Sequence, residues 1–374
     1  MKKALIIGGT GPTGIFIISG LLSRGFEVTI LHRGTHESSE IPHQVRHIHA
    51  DPHFKETLEA ALIGTRFDLV IASYGRLKVI AEVLKNKTNR LITVGSIAGY
   101  YGLANPSSLF PYGLGIPCSE DGALVESEQG DRFSYLVAEA ERSVMAAHAS
   151  REYSATHFRY PYVYGPRQPI PREWSVVRRI LEKRGKILLP DGGLTLMTQG
   201  YAENLAHAVL LAIDQPEISS GKSYNVGDEQ TLTLRQWVEV ISHQTNHQFE
   251  IISLPESILP ADTLLQINKT TSHVLMDISK VKRELGYKDK VPVIKALEQT
   301  VQWLLENPPE RGGNIEKLLA DKFNYAKEDA LIESFRNWNK QLADNQLLPS
   351  VDDFVPHAYA HPKAPGESTD HRGR

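Results

Sequence analysis

The sequence contains almost no cysteine. Cys118 is the only one among 374 residues, so a disulfide bond within the chain is excluded. A single cysteine suits a reducing compartment, and we therefore expect a cytoplasmic protein.

The sequence also lacks a long apolar run and a large excess of charge. No stretch reaches the length of a membrane span, and the first strand begins so early that no signal peptide is expected. The net charge of −3 argues against nucleic-acid binding by the whole surface. A hydrophobic content of 41% is enough for a large core, as one domain or two joined domains.

Glycines interrupt the first apolar segment in a regular pattern. Residues 4–7 predict a buried parallel strand, and residues 15–22 predict a helix that ends near Gly25. Gly8 permits a tight turn between them, Gly11 permits close approach to a pyrophosphate, and Gly14 permits helix–strand packing. The helix N-terminus then offers N–H groups to the phosphates. The turn predicts a dinucleotide site made by the following residues: Gly8, Thr10, Gly11, Pro12, Thr13 and Gly14.

The second predicted strand, residues 26–31, ends without an acidic residue. An acidic side chain there would bind a ribose 2′-hydroxyl, but the sequence continues His32-Arg33-Gly34. Arg33 can pair with a 2′-phosphate instead, so NADP is preferred over NAD. The alternative is that Arg33 is a solvated loop residue.

Strand and helix patterns alternate through the first half of the chain. Further strands are predicted over 45–50, 67–73, 90–95 and 155–160, with helices over 55–63, 77–84 and 133–148. This order predicts an α/β fold, a doubly wound parallel sheet of the Rossmann type with a smaller C-terminal substrate lobe and a helical tail. We expect a dinucleotide-binding domain over 1–165, whose sheet later segments can complete, a substrate lobe over 166–305, and a helical extension with a mobile tail over 306–374.

Four ordered motifs resemble the extended short-chain dehydrogenases/reductases of the NAD-dependent epimerase/dehydratase family. They are the glycine turn, 95–100 (GSIAGY), 159–166 (RYPYVYGP) and 277–287 (DISKVKRELGY). The resemblance implies that Asp51 lies near the adenine, that Ala72 and Ser73 border the cofactor, and that Pro161 and Tyr162 pass near the nicotinamide. It also implies a homodimer through the helix that bears Tyr135.

In that family a serine or threonine, a tyrosine and a lysine four residues after the tyrosine perform the chemistry. Residues i and i+4 share a helix face, so the lysine can lower the tyrosine pKa while the tyrosine transfers a proton. Ser96 and Tyr135 match the first two positions, but the third is Glu139. A carboxylate there would raise the pKa of the tyrosine, although it could bind ribose hydroxyls or act as a base itself if buried. The Tyr74–Lys78 and Tyr359–Lys363 pairs have the same spacing and are interpreted as chance.

A second departure concerns the substrate. Nucleotide-sugar members of the family carry an arginine where this chain has Met197, and methionine cannot pair with a phosphate. The sequence around this position is similar to that of the family branch that contains plant chloroplast stem-loop RNA-binding proteins. Residues 167–186 are rich in arginine and lysine, which suits an anionic small substrate or, less well, an RNA backbone. Trp174 is the only aromatic residue in the stretch, which counts against base stacking.

Four histidines lie close together in the sequence: His43, His47, His49 and His53. His47 and His49 would share one strand face, but zinc requires at least a third close ligand. We therefore expect an exposed histidine-rich strand and no metal site.

The sequence thus favours an NAD(P)-dependent epimerase/dehydratase or reductase that acts on a polar, sugar-like or anionic small substrate. The alternative is a catalytically silent dinucleotide-binding protein that binds RNA or a protein partner.

Overall fold

The computed structural model describes residues 1–35, 38–129, 131–259, 272–319 and 321–348, together with residue 365. The chain divides into two compact units, residues 1–323 and residues 324–374. The expected boundaries near residues 165 and 305 stay predictions. The predicted tail beyond Leu348, including the Tyr359–Lys363 pair, falls outside the described residues apart from residue 365.

Seven parallel strands form the central sheet of the first unit, which confirms the predicted fold class. Their spatial order is β10-β6-β5-β4-β1-β2-β3. The strands are β1 (Lys3–Ile7), β2 (Glu27–His32), β3 (Arg46–His49), β4 (Leu69–Ala72), β5 (Arg90–Ser96), β6 (Ser154–Tyr160) and β10 (Lys222–Asn225). The order reverses between β1 and β4, which is where a doubly wound sheet opens a ligand crevice at its carboxyl edge. β10 joins from the later part of the chain, next to β6.

Two small parallel sheets lie outside the central one. β7 (Tyr162–Tyr164) pairs with β9 (Gln199–Tyr201). β8 (Lys186–Pro190) pairs with β11 (Glu250–Leu254). β7 begins two residues after β6 ends, so the segment that leaves the central sheet passes directly into this smaller structure.

Helices follow the strands at nearly the predicted places. In the first unit they are α1 (Gly14–Ser23), α2 (Lys55–Ala61), α3 (Leu77–Val83), α4 (Arg132–Ala149), α5 (Trp174–Leu181), α6 (Ala202–Asp214), α7 (Pro216–Ser219), α8 (Leu234–Gln244), α9 (Ser279–Leu285), α10 (Val293–Glu306) and α11 (Asn314–Leu318). The second unit contains α12 (Tyr325–Asp344), whose N-terminus is capped by the Asn324 side chain. The pattern over 314–323 predicts a longer helix than α11, but Asp321 lies beyond its end, where it forms a buried ion pair with Arg179.

Both faces of the central sheet are covered by apolar side chains, as expected for buried parallel strands. On one face Ile6 and Ile30 pack with Ile17 of α1 and Leu205 of α6. On the other face Leu5 and its neighbours pack with residues of α2, α3 and α4. Among the described residues, no helix is both long and apolar enough to cross a bilayer.

Candidate functional site

The glycine turn has the conformation that its sequence predicts. Gly8 has φ of +108° and Gly9 has φ of +92°, a region that side chains disfavour. A Cβ on Gly8 would meet Ser73 Oγ at 2.9 Å, so the turn packs directly on the end of β4. A Cβ on Gly14 would collide with the backbone of Gly9, which explains why α1 can begin so close to the turn.

Gly11 differs from its neighbours because its surroundings are open. No heavy atom lies within 4 Å of a Cβ built there. The turn therefore leaves a backbone-lined space in front of the first turn of α1, whose N–H groups and positive dipole end suit a pyrophosphate. Thr10, Pro12 and Thr13 complete this segment, and Thr13 is the N-cap residue of α1. These residues fit a dinucleotide.

Arg33, Asp51 and Tyr74 meet where β2, β3 and β4 end. The Arg33 guanidinium lies 5.5 Å from the centre of the Tyr74 ring. Asp51 Oδ1 accepts hydrogen bonds from the backbone and ring of His53, and these bonds, assisted by Arg33, lower the pKa of Asp51. Ala72, the last residue of β4, is followed by Ser73, whose N–H donates to the Ile7 carbonyl oxygen at 3.0 Å. The predicted adenosine residues therefore share one edge of the sheet.

A cluster of three histidines lies beside this edge. His32 at the end of β2 joins His47 and His49 of β3, with candidate ligand nitrogens within 4.8 Å of one another. His32 was not predicted as part of this cluster, because it lies 15 residues before His47 on the neighbouring strand. Gly34 N–H donates to His32 Nδ1, so the proton of a neutral ring lies on Nε2, which is 3.0 Å from His47 Nδ1. In this arrangement His32 acts as a hydrogen-bond donor, whereas metal-bound histidines usually donate through their second nitrogen.

A cavity of about 480 Å³ opens where β5 and β6 end. Ser96 lies on its wall, and the Ser96 Oγ accepts a hydrogen bond from Ala98 N at 3.1 Å. The remaining lining residues are Ile97, Ala98, Leu103, Ala104, Asp131, Phe133, Ser134, Pro161, Tyr162, Val163, Gln168, Ile170, Arg172, Met197 and Val274. The cavity has the usual size of a small-molecule site.

Tyr162 and Arg172 form one rigid corner of this cavity. The Tyr162 hydroxyl donates to Ile170 O at 2.8 Å and accepts from Arg172 N at 3.0 Å. The Arg172 guanidinium lies 4.3 Å from the centre of the Tyr162 ring. Burial raises the pKa of Tyr162 well above its ordinary value of 10, so the phenol stays neutral and is a weak base.

Tyr135 and Glu139 lie together on α4, but neither is among the residues that line the Ser96 cavity. The Arg142 guanidinium lies 5.8 Å from the centre of the Tyr135 ring. The part of α4 on the cavity wall contains Phe133 and Ser134. Val137, four residues after Phe133, faces Gly99 in the turn that follows Ser96. The α4 face nearest Ser96 thus has no phenol and no ammonium at this spacing.

Glu139 also lacks the raised pKa that a general base would need. Partial burial raises its pKa, but hydrogen bonds from Arg142 and Lys78 outweigh that effect and leave the pKa below its ordinary value. Lys78 Nζ lies 3.3 Å from Glu139 Oε1, so the lysine of a pair interpreted as chance reaches α4 from α3. The condition under which Glu139 could act as a base, a pKa raised by burial, is therefore not met, because two cations stabilise its charged form. Its place beside Tyr135 in an altered trio stays a prediction.

The basic stretch 167–186 is largely engaged within the molecule. Arg178 pairs with Glu182 and with Glu316. Arg179 is fully buried and pairs with Asp321. Arg167 pairs with Glu40 at 2.7 Å. Three arginines of this stretch therefore have carboxylate partners within the molecule, which leaves less of its positive charge for an anionic substrate or an RNA backbone.

Four of the cavity residues carry no site signal that was recognised in the sequence. Arg172 is one of many basic residues in 167–186, and Gln168, Asp131 and Ser134 were not predicted. Asp131 caps α4 by accepting from Phe133 N and Ser134 N, and it also accepts from Ser134 Oγ at 2.6 Å. An aspartate just before an apolar helix is a recognisable capping signal, and a helix that follows β5 begins at the carboxyl edge. That signal would have placed Asp131 and Ser134 near the site.

Comparisons with known proteins agree with this geometry. The model of the NAD dependent epimerase/dehydratase family matches residues 4–227. The uncharacterised protein y4nL of Sinorhizobium fredii is 26% identical over 77% of this chain and 88% of its own length. The chloroplast stem-loop binding protein of 41 kDa b of Arabidopsis thaliana is 23% identical over 79% of this chain and 77% of its own. The structure of UDP-glucose 4-epimerase from Thermus thermophilus, in complex with NAD, superposes with a TM-score of 0.61 at 20% identity, covering 81% of this chain and 99% of that one.

Proposed function

Since the chain belongs to the NAD dependent epimerase/dehydratase family, we propose that it is an NADP-preferring enzyme acting on a small polar substrate, sugar-like or anionic, in the Ser96 cavity. The observation that carries this proposal is the position of that cavity. It lies at the carboxyl ends of β5 and β6, in the same sheet whose β1 leads into the glycine turn. A dinucleotide on that turn would extend along this edge.

In this proposal some cavity residues bind the substrate and others fix the cavity wall that orients it. A bound nicotinamide supplies hydride exchange with a substrate carbon. Ser96 offers a hydroxyl to a substrate oxygen, and the neutral Tyr162 fixes the wall beside it. Pro161 and Tyr162, which the family resemblance places near the nicotinamide, line the same cavity as Ser96. Ser96 is the member of the predicted trio that the geometry supports best.

Proton transfer by Tyr135, with Glu139 as an altered third member, stays a proposal that mutation can decide. In a screen of alcohol and carbonyl compounds monitored by nicotinamide absorbance, Tyr135→Phe should lower kcat by about 100-fold or more if the phenol transfers the proton. Phe133→Tyr with Val137→Lys would instead place a phenol and an ammonium on the α4 face nearest Ser96. Activity that survives Tyr135→Phe unchanged would refute the role of Tyr135.

The primary experiment is calorimetry of the purified protein with NADP and with NAD. We expect both to bind and NADP to bind more tightly. Failure of properly folded protein to bind either one would overturn the enzymatic proposal. Absence of turnover in spite of tight dinucleotide binding would favour the catalytically silent alternative.

A homodimer through α4 is part of the proposal. Phe133 and Leu136 of α4 are large apolar residues that are 65% and 48% exposed. Covering them with a second α4 would remove apolar surface from water. The wild-type protein should sediment as a dimer, and Leu136→Glu should shift the equilibrium toward the monomer. A wild-type protein that sediments as a monomer would refute the proposed homodimer.

RNA binding remains the second candidate because one relative is named as a stem-loop binding protein. The internal pairing of Arg178 and Arg179 favours a small-molecule substrate over RNA. Filter binding of a stem-loop RNA at 50 mM and 200 mM salt tests this directly. Tight, strongly salt-dependent binding would support the RNA alternative.

A further inference from the structure

We propose that Arg172 binds the carboxylate of a small carboxylic-acid substrate; this rests on the proposed function and names its substrate class. Arg172 lines the Ser96 cavity, yet its Nη1 is buried and meets no hydrogen-bond partner among the described residues. A buried guanidinium nitrogen without a partner is costly, because the group loses its hydration and gains nothing in return. The other two guanidinium nitrogens are not buried in this way, and a bound anion would meet them and supply the ion-pair partner that Arg172 lacks among the described residues.

The guanidinium is held ready for such a ligand. Its backbone N–H is fixed on the Tyr162 hydroxyl, and its plane is supported by the Tyr162 ring at 4.3 Å. Burial lowers the pKa of Arg172 from its ordinary value of 12.5, although the group stays charged at neutral pH. Fixed orientation reduces the entropy that a planar, bidentate contact with an anion would cost.

The neighbouring arginines differ from Arg172 because they have carboxylate partners. Arg178 and Arg179 are each paired with a carboxylate of the same unit. Arg167 also buries an Nε without a hydrogen-bond partner, but it pairs with Glu40 through Nη1. Glu173, next in sequence, is fully buried, and neither of its oxygens meets a hydrogen-bond donor in good geometry, so it does not satisfy Arg172 either. Arg172 lines the cavity and has no carboxylate within ion-pair distance among the described residues.

The charge balance of the cavity favours a carboxylate over a phosphate. Arg172 is the one cationic side chain among the described lining residues, and Asp131 is the one anionic side chain. Asp131 already accepts bonds from Ser134 and the start of α4, which lower its pKa and keep it ionised. Arg172 and ionised Asp131 together carry no net charge, so a carboxylate adds one negative charge to the cavity, whereas a phosphate dianion or a diphosphate adds two or more beside Asp131. Met197 on the same wall cannot supply a second cation.

The test uses the full chain saturated with NADP and titrated by calorimetry or fluorescence with simple probes. The probes are acetate and propionate, their neutral isostere acetamide, inorganic phosphate and UDP. We expect the carboxylates to bind and acetamide not to bind. Arg172→Gln should weaken acetate at least tenfold, which corresponds to about 1.4 kcal/mol. Arg172→Lys should weaken acetate binding less, because lysine retains the positive charge but lacks the planar guanidinium that can donate two parallel hydrogen bonds. Arg235→Gln, which removes an exposed guanidinium paired with Glu239, is the matched control and should change nothing.

The unmodified protein provides a readout that does not depend on folding of the Gln variant. The Arg172 side-chain N–H resonance, assigned by its loss in Arg172→Lys, should shift on addition of acetate and not on addition of acetamide. Acetate binding that is equal in the wild type and Arg172→Gln would overturn the proposal, as would an unshifted resonance. Tighter binding of phosphate or UDP than of acetate, lost in Arg172→Gln, would overturn the carboxylate assignment. Failure of the proposed function appears separately, as loss of NADP binding in every variant.

Discussion

The two ends of the sheet's carboxyl edge differ in which groups form the candidate site, backbone at one end and side chains at the other. At the end formed by β1, β2 and β4, backbone geometry makes the site: positive φ at Gly8 and Gly9, close packing at Gly14 and open space at Gly11. Its acidic group also has partners, since Asp51 accepts hydrogen bonds from His53 and lies near Arg33. At the end formed by β5 and β6, side chains make the cavity, and Arg172 Nη1 and both carboxyl oxygens of Glu173 are buried without a hydrogen-bond partner.

This difference suits two separate roles under the proposed function, cofactor binding at the first end and substrate binding at the second. A backbone cradle can bind the part of a ligand that all related proteins share, because amides and a helix terminus recognise phosphate whatever the rest of the molecule is. Side chains gathered from residues 96, 131, 162, 172 and 197 can change independently, so under the proposed function they would define the substrate. Four predictions test how far the contrast holds.

The largest effect is expected at Arg179, which serves as the paired counterpart of Arg172. Arg179→Met leaves Asp321 buried without its partner and should lower the free energy of unfolding by about 3–5 kcal/mol. Adding Asp321→Leu should recover much of the loss. Denaturant unfolding measures both, with exposed Arg235→Met as a control expected to change stability by less than about 1 kcal/mol. A small effect at Arg179 would show that its buried ion pair contributes little to the free energy of unfolding, so that pairing does not distinguish Arg179 from Arg172.

Glu173 should impose a pH dependence on stability. Burial, partly offset by its own backbone amide and by Arg172, raises its pKa to about 7. Below pH 4 the carboxyl is protonated in both folded and unfolded chains; between pH 4 and pH 7 the unfolded chain loses the proton first, so stability falls as pH rises. Glu173→Gln should remove this fall and gain about 2–3 kcal/mol relative to wild type between pH 4 and pH 8. Thermal unfolding at pH 4 and pH 8 measures this, with Glu217→Gln as an exposed control. The prediction is wrong if Glu173→Gln and Glu217→Gln show the same change in stability between the two pH values.

The glycine turn allows stability and binding to be separated. Gly14→Ala should cost about 1–3 kcal/mol, because the new methyl collides with the Gly9 backbone, and dinucleotide binding should be lost with it. Gly11→Ala meets no atom and should keep the unfolding temperature, while its methyl enters the space meant for the phosphates and weakens binding. Unfolding without ligand and calorimetry with NADP distinguish the two. Equal NADP affinity in Gly11→Ala and wild type would show that phosphates do not approach there.

The same contrast explains what the sequence could predict. The strand, glycine turn and helix are adjacent in sequence, so their spacing was enough to predict the fold and the dinucleotide end. The cavity collects residues separated by up to 178 positions, from Ser96 to Val274, and no local pattern reports such contacts. Helix spacing correctly kept Tyr135 and Glu139 on one face of α4, but only packing shows that Phe133 and Ser134 are on the cavity wall. The third histidine was missed for the same reason, since pairing of β2 with β3 brings His32 opposite His49.

Arg33 is expected to show the smallest effect, and the proposed preference for NADP over NAD rests on this side chain. It is exposed and lies over the Tyr74 ring rather than in a buried ion pair, so solvent screens its attraction for a 2′-phosphate. Arg33→Ala should therefore weaken NADP by about tenfold, or ~1.4 kcal/mol, and leave NAD nearly unchanged. Raising the salt concentration should reduce the difference in the wild type and not in the variant. Arg76→Ala, which removes an exposed arginine stacked on Phe54 nearby, controls for general charge and should affect both cofactors alike. If NADP and NAD lose affinity equally in Arg33→Ala, this residue does not recognise the 2′-phosphate, and any preference between the two cofactors must come from other groups at the adenosine end.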